Sequence, residues 1–219
     1  MTAETLESVR LETGPEPKAC ILWLHGLGAD GHDFVPVARA LQLPFAVRHL
    51  FPHAPVRPVT INGGMAMRAW YDIVSPDLHH RVDRAGIRQS QALVSALIDR
   101  QVADGIPPER IVLVGFSQGG VVALETGVRY GGLAGVVALS TYVALADEFP
   151  PATALSPPIL MMHGTEDPIV PLPLAQDGCR LLRRLGYRVE WHTFPMAHSL
   201  CAEEIAVLRR WLLDRLTPA

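Results

Sequence analysis

The sequence predicts an α/β fold with a mostly parallel central sheet, and two observations carry that expectation. Short apolar or β-branched runs alternate with longer segments of helical period, the rhythm of successive strand–helix–strand units. Most of those runs are apolar at nearly every position, as parallel strands covered on both faces must be. A chain of 219 residues, 49% hydrophobic and 19% charged, can bury a core that folds without metal or disulfide staples. No repeat, low-complexity tract or linker divides it, so residues 1–219 read as one domain.

In chain order, the expected strands are Ala19–Leu24, Ala46–Phe51, Ile111–Val114, Gly135–Leu139, Ile159–Met162 and Arg188–Phe194. A helix over Phe34–Leu41 joins the first two. Asp83 is placed to cap a longer helix whose Ile87, Val94, Leu97 and Val102 fall on one face. Gln118–Tyr130 and Leu174–Leu185 supply two more, the second closed by Gly186. The last helix starts near Cys201, with Glu203 and Glu204 in its first turn. Its Ile205, Leu208, Leu212 and Leu216 form an apolar stripe for the sheet. One connection, Pro52–Val82, breaks the rhythm: it holds six prolines and glycines and no obvious structure of its own. A loop of that length in a compact domain is usually functional or disordered, and the Met65, Met67, Trp70 and Tyr71 inside it favour a functional one.

Composition narrows the function classes. The formal net charge is -3 and the pI near 6.3, so no broad basic field exists to hold a phosphate backbone, and nucleic acid is not an expected partner. Met1–Arg10 is polar and charged rather than a secretory leader. No run of about 18 apolar residues is present to insert stably in a bilayer. Cys20, Cys179 and Cys201 cannot all pair within one chain and lack metal-type spacing, which points to a reducing, cytoplasmic setting. His79 and His80, in a polar stretch, read as solvated.

The chemistry-bearing motif is Gly115-Phe116-Ser117-Gln118-Gly119. It follows an expected strand directly and opens an expected helix. That context suits a nucleophile elbow, in which a sharp turn thrusts the serine hydroxyl above the sheet edge while flanking glycines permit close packing. A plain glycine-rich turn would share the pattern but not the context. A serine nucleophile needs a base, and among nine histidines His198 lies just past the strand Arg188–Phe194 and ahead of the final helix, whereas His192 lies within that strand. The orienting acid should follow Ile159–Met162, where Glu166 and Asp167 are both chemically suited. An oxyanion needs backbone donors: the N–H of Gln118, after the serine, and that of Leu27, in the glycine-rich turn His25-Gly26-Leu27-Gly28.

These motifs resemble the bacterial carboxylesterase and acyl-protein thioesterase family, also called phospholipase/carboxylesterase. The resemblance runs from about Ala19 to the end of the last helix. It is carried by His25-Gly26-Leu27-Gly28-Ala29-Asp30-Gly31, Pro52-His53-Ala54-Pro55, Asn62-Gly63-Gly64, Ala69-Trp70-Tyr71-Asp72-Ile73, the elbow, His163-Gly164-Thr165-Glu166-Asp167-Pro168 and Pro195-Met196-Ala197-His198-Ser199. It implies an α/β-hydrolase with helices on both faces of the sheet and no large lid. It also implies a Ser117/Asp167/His198 triad, which selects Asp167 over Glu166, and an oxyanion hole of the Leu27 and Gln118 amides. Ala197 departs from the family, where glycine commonly precedes the histidine; alanine is disfavoured there only if the backbone needs positive φ.

The expected reaction is hydrolysis of carboxylic esters with small to medium acyl chains through an acyl-enzyme. Thioesterase or lysophospholipase action on long acyl chains is the alternative. A peptidase and a non-catalytic receptor on the same scaffold rank below both. The partner is thus a small-molecule ester or acyl-thioester, and a homodimer is compatible with the sequence. No metal or nucleotide cofactor is expected, because the triad supplies its own nucleophile. Within the long connection, Met65, Met67, Trp70 and Tyr71 offer soft or aromatic surface. Trp70 and Met65 are the expected substrate contacts.

Overall fold

The computed structural model describes residues 6–75, 78 and 81–217; His79 and His80 lie outside them. Seven strands form one sheet in the order β1-β3-β2-β6-β7-β8-β9. They are β1 (Ser8–Glu12), β2 (Cys20–Leu24), β3 (Arg48–Pro52), β6 (Ile111–Phe116), β7 (Gly135–Leu139), β8 (Ile159–Gly164) and β9 (Val189–Phe194). Each neighbouring pair is parallel except β1 on β3. Two further strands, β4 (Val56–Val59) and β5 (Met65–Arg68), make a separate antiparallel hairpin. The helices are α1 (Val35–Ala40), α2 (Arg84–Ala103), α3 (Gln118–Tyr130), α4 (Leu172–Arg184) and α5 (Ala202–Leu216).

The near-continuous apolar character of the strands is explained by two cores, one on each face. Cys20, Leu22 and Leu24 of β2 point into one, while Ile21 and Trp23 point into the other. The same alternation divides Ile111 and Leu113 from Val112 and Val114, and Ile159 and Met161 from Leu160 and Met162, as the two-residue strand period requires. Helices α2, α3 and α4 cover the first core; α1 and α5 cover the second. Asp83 caps α2 by accepting the Gly86 N–H at 2.9 Å. Val102 is exposed, because it lies off the helix stripe on which Ile87, Val94, Leu97, Ile98 and Gln101 are buried.

Two expectations are corrected. Ser8–Glu12, read as a polar terminus, is an edge strand whose Val9 and Leu11 pack on the second core; its outward positions tolerate charge. The connection Pro52–Val82 is not structureless. Val56–Val59 pairs with Met65–Arg68 around a turn at Gly63 and Gly64, whose φ values of 67° and 78° suit glycine. Asp72 ties this segment down by accepting the Thr60 N–H at 2.7 Å, while Asp83 accepts the Asp72 N–H at 2.9 Å.

Helices change faces between β2 and β6, which lie side by side with Leu24 opposite Gly115. In open α/β sheets the crevice beyond the carboxyl ends at such a switch is where ligands bind. The loops after Leu24 and Phe116 both empty there.

Candidate active site

Ser117 caps α3 with φ 53° and ψ -119°, a conformation that is strained for any residue with a side chain. Close packing imposes it. A Cβ on Gly115 would collide with the Gly119 carbonyl, and one on Gly119 with the Leu24 carbonyl. The turn is tied to the end of β7 on both sides of the serine: the Ser117 N–H donates to Leu139 O at 2.9 Å, and Thr141 Oγ1 donates to Ser117 O at 2.6 Å.

Asp167 and His198 meet from neighbouring loops after β8 and β9. His198 Nδ1 lies 2.7 Å from Asp167 Oδ2, while Asp167 Oδ1 accepts the Ile169 and Val170 N–H groups, each at 2.9 Å. The Asp167 carboxylate is fully buried. The loops are laced together by Thr165 N–H to Phe194 O at 2.8 Å and Glu166 N–H to Met196 O at 3.1 Å. Gly164 lets Met196 and Ala197 press against the end of β8, where a Cβ would clash with both carbonyls. Ala197 is not among the positive-φ residues, so alanine fits where the family commonly has glycine.

A cleft of about 260 Å³ is lined by both Ser117 and His198, with Gly26, Leu27, Phe116 and Ile169 among its walls. The Phe116 and His198 rings pack with centroids 4.7 Å apart. Among the described residues, neither the Leu27 nor the Gln118 backbone N–H donates to another protein group, leaving both free for an oxyanion.

Sequence reasoning missed the polar frame behind the Leu27 turn. His25 Nδ1 contacts Gly26 O at 2.7 Å and Nε2 accepts the Ala54 N–H at 3.0 Å, so the ring is neutral with its proton on Nδ1. Burial lowers its pKa accordingly. Gly28 N–H donates to Arg68 O at 2.9 Å, and Arg68 Nη1 to Ala54 O at 3.0 Å. The Gln118 side chain accepts the Trp70 N–H at 2.8 Å and donates to Tyr71 O at 2.6 Å. His163 likewise faces inward: Nε2 donates to Val170 O at 2.8 Å and lies 3.5 Å from Asp167 Oδ2. His25 and His163 each open a His-Gly pair, the first directly after β2 and the second at the end of β8, a signal visible in the sequence.

The two expected substrate contacts lie elsewhere. Trp70 is completely buried; its ring packs on His25 and its Nε1–H donates to His25 O at 2.9 Å. That corrects its role, since no part of the ring is open to a substrate. Met65 is 65% exposed beside the turn of the hairpin and is not among the cleft walls. Met67, whose sulfur approaches the Gly28 backbone, is the nearer methionine.

Comparison with known proteins places this architecture. Residues 7–214 match the Phospholipase/Carboxylesterase family model. Acyl-protein thioesterase 1 of Neurospora crassa is 39% identical over 213 residues, covering 90% of this chain and 87% of that one. Acyl-protein thioesterase 1 of Cryptococcus neoformans is 36% identical, covering 97% and 98%. Among solved structures, Arabidopsis thaliana SOBER1 superposes with a TM-score of 0.83 at 32% identity, over 91% of this chain and 99% of that one. Among the described residues no helix is long and apolar enough to cross a membrane.

Proposed function

Because the chain belongs to the phospholipase/carboxylesterase family, we propose that it hydrolyses esters and thioesters with Ser117 as nucleophile, His198 as base and Asp167 as the orienting acid. The contact of His198 Nδ1 with Asp167 Oδ2 at 2.7 Å, in the cleft that also holds Ser117, carries the reading. Asp167 fixes the tautomer that leaves Nε2 of His198 bare to take the Ser117 proton. The serine attacks the carbonyl, the Leu27 and Gln118 amides hold the resulting oxyanion, and His198 protonates the departing alcohol or thiol. Water activated by His198 then releases the acid.

A cleft of about 260 Å³ is smaller than the usual range for drug-sized ligands, which supports small to medium acyl chains. Met65 would meet only a chain that reaches beyond it. The acyl-protein thioesterase names of the fungal relatives favour acyl-thioesters on protein as the second reading. Three unpaired cysteines support a cytoplasmic setting. The exposed Val56, Ile61 and Met65 supply apolar surface for a homodimer. A fluorophosphonate probe tests the core of the proposal: Ser117 should be labelled in folded protein and protected by substrate. Folded protein that remains unlabelled would instead be a non-catalytic receptor.

A further inference from the structure

We propose that Asp33 selects substrates by charge: its carboxylate, set in the wall of the cleft that holds Ser117 and His198, favours esters and thioesters whose leaving alcohol or thiol carries a cation. The inference rests on the reading of Ser117 and His198 as nucleophile and base. Most of the other walls, including Leu27, Phe116 and Ile169, are uncharged, and among the described residues Asp33 is the one acidic residue lining the cleft.

Its surroundings leave that charge available. Asp33 closes a turn by donating its N–H to Asp30 O at 3.2 Å, and its side chain is open to solvent on one side. Asp30 has its own partner in His32, 3.1 Å away, whereas among the described residues no cation forms an ion pair with Asp33. Desolvation by burial, and then the Asp30 carboxylate, push the Asp33 pKa up; a bound cation opposes both by favouring the charged form.

Position assigns the charge to the leaving group. The departing atom must lie beside His198, which protonates it. Phe116 packs on the His198 ring, and Phe34 packs on Phe116 with centroids 6.2 Å apart. Asp33 immediately precedes Phe34. Asp33 shares the lining of the cleft with Phe116 and His198, and we place its carboxylate along the path of the departing alcohol or thiol. A charge pair in such a partly solvated place discriminates by up to about fivefold and weakens as ionic strength rises above ~0.15 M.

The test compares butyrylcholine with its neutral carbon isostere, and a second matched pair with the quaternary ammonium on the acyl chain. Wild type should favour the cationic leaving group about three- to fivefold in kcat/KM, with the preference shrinking in high salt. Asp33→Asn should bring the ratio, measured within that variant, close to one, and Asp33→Glu should restore it. Should Asp33→Asn fail to fold, the salt series on wild type still decides. A wild-type ratio near one, a ratio unchanged in Asp33→Asn, or a larger preference in the acyl-cation pair overturns the assignment while leaving the triad intact. Turnover of the neutral isostere that survives Ser117→Ala would refute the triad reading and take this inference with it.

Discussion

Gln118 and Trp70 are locked together: the side-chain carbonyl of Gln118 accepts the Trp70 backbone N–H at 2.8 Å, while the Trp70 indole donates to His25 O at 2.9 Å. Trp70 thereby bridges the two loops whose amides we assign to the oxyanion. Trp70→Phe keeps the aromatic bulk but leaves a buried carbonyl unpaired, at a cost of about 1–3 kcal/mol. Thermal stability should drop, and kcat/KM for acetyl, butyryl and octanoyl esters should fall by a common factor. A changed chain-length profile would restore Trp70 as a substrate contact.

The backbone at Ser117, φ 53° and ψ -119°, is strained for serine and easy for glycine. Ser117→Gly should therefore gain about 1 kcal/mol of stability, a rise of a few degrees in Tm. It should also lose roughly 10⁴- to 10⁶-fold in kcat. Ser117→Ala should lose the activity without the gain. Calorimetry of both variants separates strain from chemistry, and activity of either within tenfold of wild type would remove Ser117 from the nucleophile's place.

Asp167 is buried against His198, whereas the adjacent Glu166 is exposed and contributes only its backbone N–H to Met196 O. Asp167→Asn should cut kcat by about 10³- to 10⁴-fold by favouring the wrong imidazole tautomer. Glu166→Gln should stay within about threefold, since its backbone bond survives. Steady-state kinetics on a butyryl ester ranks the two, and the reverse order would place the acid one residue earlier.

Glu204, in the first turn of α5, is fully buried, and neither carboxylate oxygen has a hydrogen-bond partner among the described residues. Desolvation pushes its pKa up to about 8, against the opposing effect of the nearby Cys201 backbone. A folded-state value raised above the unfolded one favours folding while the group is protonated. That stability is complete below about pH 4.5 and is lost as pH rises through 8. Glu204→Gln should remove the decline, so that the variant gains on wild type by on the order of 2–4 kcal/mol between pH 5 and pH 9. Parallel denaturant curves at both pH values would expose an error if the two proteins track each other.

The strands that carry the site were legible because parallel strands between two helical layers must be apolar, as β2, β6 and β7 are throughout and β8 is up to His163. Ser117 was legible from its glycines, each now seen to be demanded by a particular carbonyl. What stayed hidden had weaker local signals. Val56–Val59 contains Pro58 and lacks a clean alternation, and it pairs outside the main sheet; only Gly63-Gly64 marked its turn. Val9 and Leu11 alternate over too few residues to outweigh the charges around them. Trp70 was misjudged because an aromatic residue in a long loop looks alike in sequence whether it faces a ligand or a buried carbonyl. The His25 and Gln118 side chains act across contacts that span 29 and 48 residues, which no local pattern encodes.

The β4–β5 hairpin has two ends with different duties. At the tip, Ile61 and Met65 face solvent; at the base, Ala54 and Arg68 offer their backbones to His25 and Gly28 of the turn that presents Leu27. A graft or a run of mutations that displaces the hairpin as a whole reaches the Leu27 turn through these few hydrogen bonds. A library that randomises the hairpin should therefore lower turnover wherever it disturbs the Ala54 and Arg68 contacts, and holding those two positions fixed is the way to vary the tip alone.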